Sequence, residues 1–208
     1  MNKALYLGLS LAVAPFVFQD VAQAVILDFS STPVVETGEQ VSIDIIISDL
    51  VNGGAPSLGA YDFDIRFDSS ILNFDSVTFG DAVLGNQLDI IGLFGTFNDV
   101  LKLSSDTINL FELSLDDPFD LDTFQADSFT LATLTFDAVG AGTSTLEFSN
   151  VILGNALGHP LSVTTNQGMV TVEASDAVPV PESSTTFSLL ALGLLGLGTV
   201  IRRQQKLV

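Results

Sequence analysis

Two stretches of the chain alternate between apolar and polar residues with a period of two, and this alternation limits the possible folds more than any other feature. Apolar side chains occupy the odd positions of residues 41–48 and again of residues 61–67. Because successive side chains of a strand point to opposite faces, a period of two indicates a strand with one buried and one exposed face. On the second stretch, the exposed face is predicted to carry Asp62, Asp64 and Arg66.

Other parts of the chain carry similar but shorter strand patterns. The apolar positions between Phe129 and Phe136 change parity, which predicts a β-bulge near Ala132 and Thr133. Residues 81–93 are the one place where we expect a short helical turn. Many short strands separated by glycine-containing turns are typical of an all-β fold, and we predict an antiparallel β-sandwich or jelly roll. Further strands are predicted at Leu72–Phe79, Thr107–Leu115, Thr145–Phe148 and Gly168–Val172.

The charge of the chain excludes one class of partner. The chain has 25 acidic and 6 basic residues, which give a formal net charge of −19 at pH 7. Between Val25 and Ala177, only Arg66 and Lys102 are basic. Nucleic-acid binding depends on Lys and Arg side chains that neutralise phosphates, so we predict that nucleic acid is not a partner.

Few side chains of this sequence are suited to catalysis. The chain contains no cysteine, which excludes disulfides, thiolate nucleophiles and cysteine-ligated metals. The single histidine, His159, lies between Gly158 and Pro160 in a predicted turn and belongs to no nucleophile motif. We therefore predict that the protein is not an enzyme and has no cofactor, with calcium as the one candidate to be considered.

The first 24 residues have the features of a secretory signal peptide. Lys3 supplies a positive charge, and residues 4–18 form an apolar run. Ala22 and Ala24 then give the small-x-small pattern that signal peptidase recognises, so cleavage is predicted after Ala24. The sequence therefore predicts export, with residues 25–177 as the exported domain.

The last 31 residues, 178–208, have the features of a membrane-directed tail. Residues 183–201 are 19 residues without a charge, long enough as a helix to cross the hydrocarbon core of a bilayer. The basic residues Arg202, Arg203 and Lys206 follow directly, which predicts a cytoplasmic C-terminus. We therefore predict one C-terminal transmembrane helix in addition to the N-terminal signal helix.

Three elements in order, a Pro-Glu signature, an apolar helix and a basic end, resemble the PEP-CTERM sorting signal of exported Gram-negative bacterial proteins. The signature is Pro181-Glu182, preceded by Val178 and Pro179, and Ser183 replaces the usual second proline. The resemblance implies sorting by an exosortase-type transpeptidase, with the protein anchored in the inner membrane in transit and then at the cell surface or extracellular. A plain C-terminal anchor is the alternative.

The order of strand segments from Val25 or Val34 to Glu173 is similar to that of the cohesin family. The clearest match is LGAYDFDIRFDSSILNF at residues 58–74, and VTTNQGMVTVE at residues 163–173 would be the closing segment. The resemblance implies a cohesin-type β-sandwich, and relatives of that fold include dockerin-binding modules and carbohydrate-binding modules. It assigns no binding residue in this chain.

An acidic stretch between residues 116 and 127 is the one candidate metal site. It contains five aspartates in twelve residues, and calcium is bound by six to eight oxygen ligands, many of them carboxylates. The stretch lacks the central glycine and the final glutamate of an EF-hand loop, so a solvated acidic loop is the alternative. The candidate calcium ligands are Asp116, Asp117, Asp120 and Asp122.

Two functions therefore fit the sequence best, and a third, an extracellular hydrolase, is disfavoured because the sequence has no nucleophile motif, histidine pair or metal-ligand cluster. The first is a non-enzymatic protein of the cell surface or of an extracellular polysaccharide matrix, with an adhesive or structural role. The alternative is a recognition domain that binds a carbohydrate or a dockerin-like protein. The chain has no tryptophan, and Tyr61 has the parity of a buried residue, which disfavours sugar stacking on exposed aromatic rings.

Overall fold

The computed structural model describes residues 24–30 and 32–175. The predicted signal peptide, except Ala24, and the predicted tail at 178–208 lie outside this part. The described residues form eleven strands and one helix. These are β1 (Val25–Phe29), β2 (Val34–Glu36), β3 (Gln40–Ser48), β4 (Leu58–Arg66), β5 (Leu72–Phe79), β6 (Thr96–Lys102), β7 (Thr107–Ser114), α1 (Pro118–Phe124), β8 (Phe129–Ala138), β9 (Gly142–Asn155), β10 (Val163–Thr165) and β11 (Gly168–Glu173).

The strands form two sheets that enclose a single core. The first sheet has the order β10-β1-β3-β8-β5, and the second has the order β2-β11-β9-β4-β7-β6. The prediction of a wholly antiparallel sandwich is wrong in detail, because β1 pairs with β10 and β2 pairs with β11 in parallel. Parallel pairing requires a long connection, and both pairs join segments far apart in the sequence.

The predicted alternation of the central strands is confirmed. Ile43, Ile45 and Ile47 of β3 are buried, as are Phe63 and Ile65 of β4. These side chains belong to one apolar cluster that draws on both sheets. Burial of one strand face in each sheet therefore accounts for the sandwich.

The predicted bulge in β8 is present one residue earlier than expected. Ile45 pairs with Ala132, whereas Ile46 pairs with Thr130, so Leu131 has no partner of its own on β3. Leu131 and Ala132 are both buried although they are neighbours. The extra residue accounts for the change of parity that the sequence shows.

The helix lies at a different place from the predicted turn. Residues 81–93 are not helical. The backbones of Asp81 and Gly85 exchange two hydrogen bonds of 3.0 Å and close a tight turn. Helix α1 instead begins after Asp117, whose carboxylate accepts the Phe119 N–H at 2.9 Å. Within residues 24–30 and 32–175, no helix is long and apolar enough to span a membrane.

Candidate protein-binding face

The outer face of the second sheet, formed by the sides of β6, β7, β4 and β9 that point away from the core, carries exposed apolar side chains. Phe97 on β6 and Leu113 on β7 are register partners. Ile152 on β9 lies across Asp62 of β4 from Phe111, which is two residues from Leu113 along β7. Phe97, Leu113 and Ile152 are exposed. The Phe97 ring packs edge-on against Phe111, with centroids 6.1 Å apart. Exposed apolar side chains grouped on one face are typical of an interaction surface.

A polar network lies beside these apolar residues. The Asn109 side-chain amide donates to Asp62 at 2.7 Å and to Asp64 at 2.9 Å. Asn150 donates to the second oxygen of Asp64 at 2.6 Å. Asp64 is therefore only 6% exposed, which corrects the prediction of an exposed carboxylate, because the two asparagine side chains cover it.

A shallow cavity of about 280 Å³ opens on this face next to Asp62. Nearby, β4 and the end of β9 approach so closely that a Cβ added at Gly59 would lie 2.6 Å from the Asn155 carbonyl oxygen. Among the described hydrogen bonds, Asp62 uses only Oδ1, so Oδ2 is left to accept a donor from a ligand. The residues that line the cavity include Ala60, Asp62, Phe111, Ile152, Gly154 and Gly158.

The four candidate calcium ligands are engaged separately. One oxygen of Asp116 accepts the Ile90 N–H at 2.7 Å, and Asp117 caps α1. Asp122 accepts the Ser57 hydroxyl at 2.6 Å, and Asp120 lies in the first turn of the helix. Across the described part of the chain, no three acidic or histidine side chains converge to hold a metal ion. This geometry gives the calcium hypothesis no support, and it stays a prediction.

A buried carboxylate lies on the inner side of the second sheet. Glu112 of β7 is 0% exposed and accepts the Tyr61 hydroxyl at 2.8 Å and the Asn86 amide at 2.6 Å. Burial, and then the neighbouring Glu112 carboxylate, raise the pKa of Tyr61 well above its usual value. The signal was present in the sequence, because Glu112 has the same parity as the buried Ile108 and Leu110.

The predicted processing and sorting residues fall almost entirely outside the described part. Ala24 is the exception, and β1 begins at the residue after it, Val25. Cleavage after Ala24, as predicted, would remove no part of any described strand. The residues that lie outside are Ala22, Val178, Pro179, Pro181, Glu182, Ser183, Arg202, Arg203 and Lys206.

One relative and many solved structures resemble this chain, although no protein-family model matches it. Cellulose-binding protein A of Clostridium cellulovorans is 27% identical over 161 residues, which cover 72% of this chain. The chain spans only 8% of that protein.

Cohesin modules are among the similar solved structures. The sixth cohesin of scaffoldin B from Acetivibrio cellulolyticus, solved in complex with a Cel5 dockerin, has a TM-score of 0.57 at 18% identity and covers 73% of this chain and all of the cohesin. A non-cellulosomal cohesin from Archaeoglobus fulgidus has a TM-score of 0.55 at 12% identity, with 74% of this chain and 94% of the other covered.

These likenesses agree with the prediction that the protein is not an enzyme, since the matched structures are cohesins and one is bound to a dockerin. The domain is therefore a β-sandwich of the cohesin fold.

Proposed function

We propose that the domain is a protein-recognition module that binds a dockerin-type partner through the outer face of its second sheet. The observation that supports this most directly is the combination of exposed Phe97, Leu113 and Ile152 with the half-buried Asp62. Interfaces commonly join an apolar centre to a few fixed polar groups. The cohesin–dockerin complexes of the same fold support this class of partner.

The same face is less suited to carbohydrate. Sugar-binding surfaces stack pyranose rings on flat, exposed Trp or Tyr side chains, and the chain has no tryptophan. Tyr61 is buried, and its hydroxyl is already bonded to Glu112. Phe97 and Phe111 lie edge-on to one another, so the two rings do not form a common flat platform.

A binding experiment with dockerin modules tests this proposal. We expect Ile152→Asp to weaken the binding of a cognate dockerin at least tenfold, because it places a charge at the centre of an apolar contact; hot-spot changes of about 2 kcal/mol have effects of this size. Val139→Asp, at an exposed apolar residue in the turn after β8, is the matched control. Equal binding by the two variants would contradict the proposed face, and the absence of binding to every dockerin tested would contradict the proposed partner.

We also propose that the protein is exported and sorted through its tail by an exosortase-type transpeptidase. The support is the signal-peptide pattern ending at Ala24 and the PEP-CTERM-like arrangement at residues 178–208. Display at the cell surface or in a polysaccharide matrix would give a recognition module an adhesive or structural role.

Changing Pro181 and Glu182 together to alanine tests the sorting step. We expect the variant to be translocated and to accumulate at the inner membrane, because the signal peptide acts before the tail is read. Fractionation of tagged protein measures this, and alanine at Thr185 and Thr186 is the neighbouring control. If the variant with Pro181 and Glu182 changed reached the surface or was released in unchanged amounts, the sorting proposal would be contradicted. The tail would then be explained as a plain membrane anchor.

A further inference from the structure

Two connections close one end of the sandwich and are bonded into a single unit. Residues 80–95 join β5 to β6, and residues 115–128 join β7 to β8; together we name them the acidic cap. Asp116 accepts the Ile90 N–H at 2.7 Å, and the Ala126 N–H donates to Gln87 at 3.0 Å. The two connections therefore present one common surface.

The inner side of the acidic cap accounts for its folding. Leu88 and Leu121 are buried, one in each connection. The Gln125 side chain accepts the Leu58 N–H at 2.6 Å and donates to the Gln87 carbonyl oxygen at 2.9 Å. These contacts help to fix the conformation of the cap.

The outer side of the acidic cap is unusually apolar for a surface connection. Val83 is 90% exposed, Leu93 is 76% exposed and Phe119 is 71% exposed. Single exposed apolar residues are ordinary, but a group on two bonded connections marks an interaction surface. The other exposed apolar side chains of the cap are Leu84, Ile91, Phe94, Leu115 and Phe124.

The negative charge of the cap indicates a positively charged partner. In sequence, residues 80–95 and 115–128 contain seven aspartates and no Lys, Arg or His. Three backbone N–H groups, led by that of Leu84, hold the pKa of Asp81 below its usual range, so this carboxylate stays ionised at mildly acidic pH. Arg66 and Lys102, the two basic residues between Val25 and Ala177, end β4 and β6 at the opposite end of the sandwich.

One buried oxygen in the cap also lacks a donor. Asp116 is buried, and its Oδ1 atom has no hydrogen-bond partner, whereas its Oδ2 atom accepts from Ile90. An unpaired buried carboxylate oxygen is unfavourable, so a cation brought close to this oxygen would lower the free energy of the cap.

We propose that the acidic cap binds a cationic amphipathic segment of another protein, in which Lys or Arg residues flank an apolar stripe. The apolar stripe would cover Val83, Leu93 and Phe119, and the basic residues would face the surrounding aspartates. A second copy of this chain is disfavoured because it would bring seven more carboxylates to the same surface. An anionic membrane is disfavoured for the same reason.

The acidic cap and the last described strand lie at opposite ends of the sandwich. The cap lies where β9 ends, because Asn155 pairs with Leu58 at the start of β4. The last strand, β11, ends at the opposite end, since Val172 pairs with Gly142 at the start of β9.

Peptide binding to the full chain in nanodiscs of neutral lipid tests the proposal. The probe is a labelled amphipathic helix of Leu and Lys about five turns long, compared with an isomer in which Glu replaces Lys. We expect the Lys peptide to bind, and its affinity to fall as salt is added. The double variant Leu93→Ser plus Phe119→Ser should lower this affinity at least tenfold. Val34→Ser plus Val139→Ser is the control at exposed apolar residues elsewhere.

Charge variants separate a specific site from general attraction to an acidic protein. The double variant Asp120→Asn plus Asp127→Asn should lower the affinity for the Lys peptide more than Asp75→Asn plus Glu173→Gln does. The second pair removes the same charge elsewhere on the domain. Ile152→Asp should leave peptide binding unchanged, so loss of dockerin binding and loss of cap binding can be told apart. The proposal would be overturned if the two charge pairs had equal effects or if the Glu peptide bound as well as the Lys peptide. Binding of the Lys peptide to empty nanodiscs alone, or dimerisation that the cap variants abolish, would also overturn it.

Discussion

Replacing Phe63 with alanine is expected to lower the free energy of unfolding by about 3 to 5 kcal/mol, because the change removes a fully buried ring and leaves a cavity. Phe63 lies at the centre of the second sheet and is buried on β4. Its ring stacks on Tyr61, with centroids 5.1 Å apart, and meets Phe148 edge-on at 5.4 Å. Phe63→Ala therefore removes aromatic contacts from Tyr61 and Phe148 at the same time.

Phe97→Ala is the matched control for Phe63→Ala. Phe97 is an exposed phenylalanine on the outer face of the same sheet, and its main aromatic contact is Phe111. We expect it to lower the free energy of unfolding by less than about 1 kcal/mol, as is usual for surface substitutions. Urea denaturation of the two variants measures both values, and equal losses would contradict the assignment of the two faces of the sheet.

The period-two pattern predicted which way side chains point but not what covers them. The parity of Phe63 and Ile65 correctly placed them in the core. The same parity placed Asp64 on the outer face, where it does lie, yet Asn109 and Asn150 bury it there. Those asparagines come from β7 and β9, and their contact with Asp64 depends on strand register, which alternation alone does not define.

The elements that the sequence analysis missed carry weak periodicity or a signal of another kind. β6 has only Val100 packed on the core, so its apolar residues show no regular alternation. α1 is seven residues long, too short for a helical period, but Asp117 followed by Pro118 is a recognisable helix start. A short capped helix is thus better predicted from its first residues than from its hydrophobic pattern.

The candidate surfaces were predictable only in part. The acidity of residues 116–127 was evident, but the outward direction of Phe119 and Phe124 was not, because a connection has no fixed period. The sheet face depended on the pairing of Asp62 with Ile152 across β4 and β9. Residues far apart in sequence form both surfaces, so the fold was needed to bring them together.

Replacing Glu112 with alanine is expected to lower the free energy of unfolding by about 1 to 3 kcal/mol or more, since two donors lose their acceptor and one of them is buried. The donors are the Tyr61 hydroxyl and the Asn86 side-chain amide. Asn86 lies in the connection that closes the end of the sandwich, so the variant should also loosen residues 80–95. Glu173→Ala, at an exposed glutamate, is the control and should change the free energy by less than about 0.5 kcal/mol.

The pH dependence of stability reports on the same network. The folded state raises the pKa of Tyr61 well above 10.0, first by burial and then through Glu112. A raised pKa means that the folded state retains the tyrosine proton more strongly than the unfolded state does. The resulting stabilisation is fully present below the pKa of unfolded tyrosine and is lost as the pH rises from about 10 through the folded value.

Tyr61 can be followed by itself in a fragment of residues 25–177, where it is the only tyrosine and no tryptophan is present. We expect the ultraviolet absorbance of tyrosinate to appear only as the fragment unfolds at alkaline pH, in step with the loss of far-ultraviolet dichroism. Tyr61→Phe should remove the loss of stability that Tyr61 ionisation causes at alkaline pH. At neutral pH the variant loses only the hydrogen bond to Glu112. Ionisation of Tyr61 near pH 10 in a folded fragment would contradict both its burial and its bond to Glu112, because a carboxylate 2.8 Å from the phenol opposes a second negative charge there.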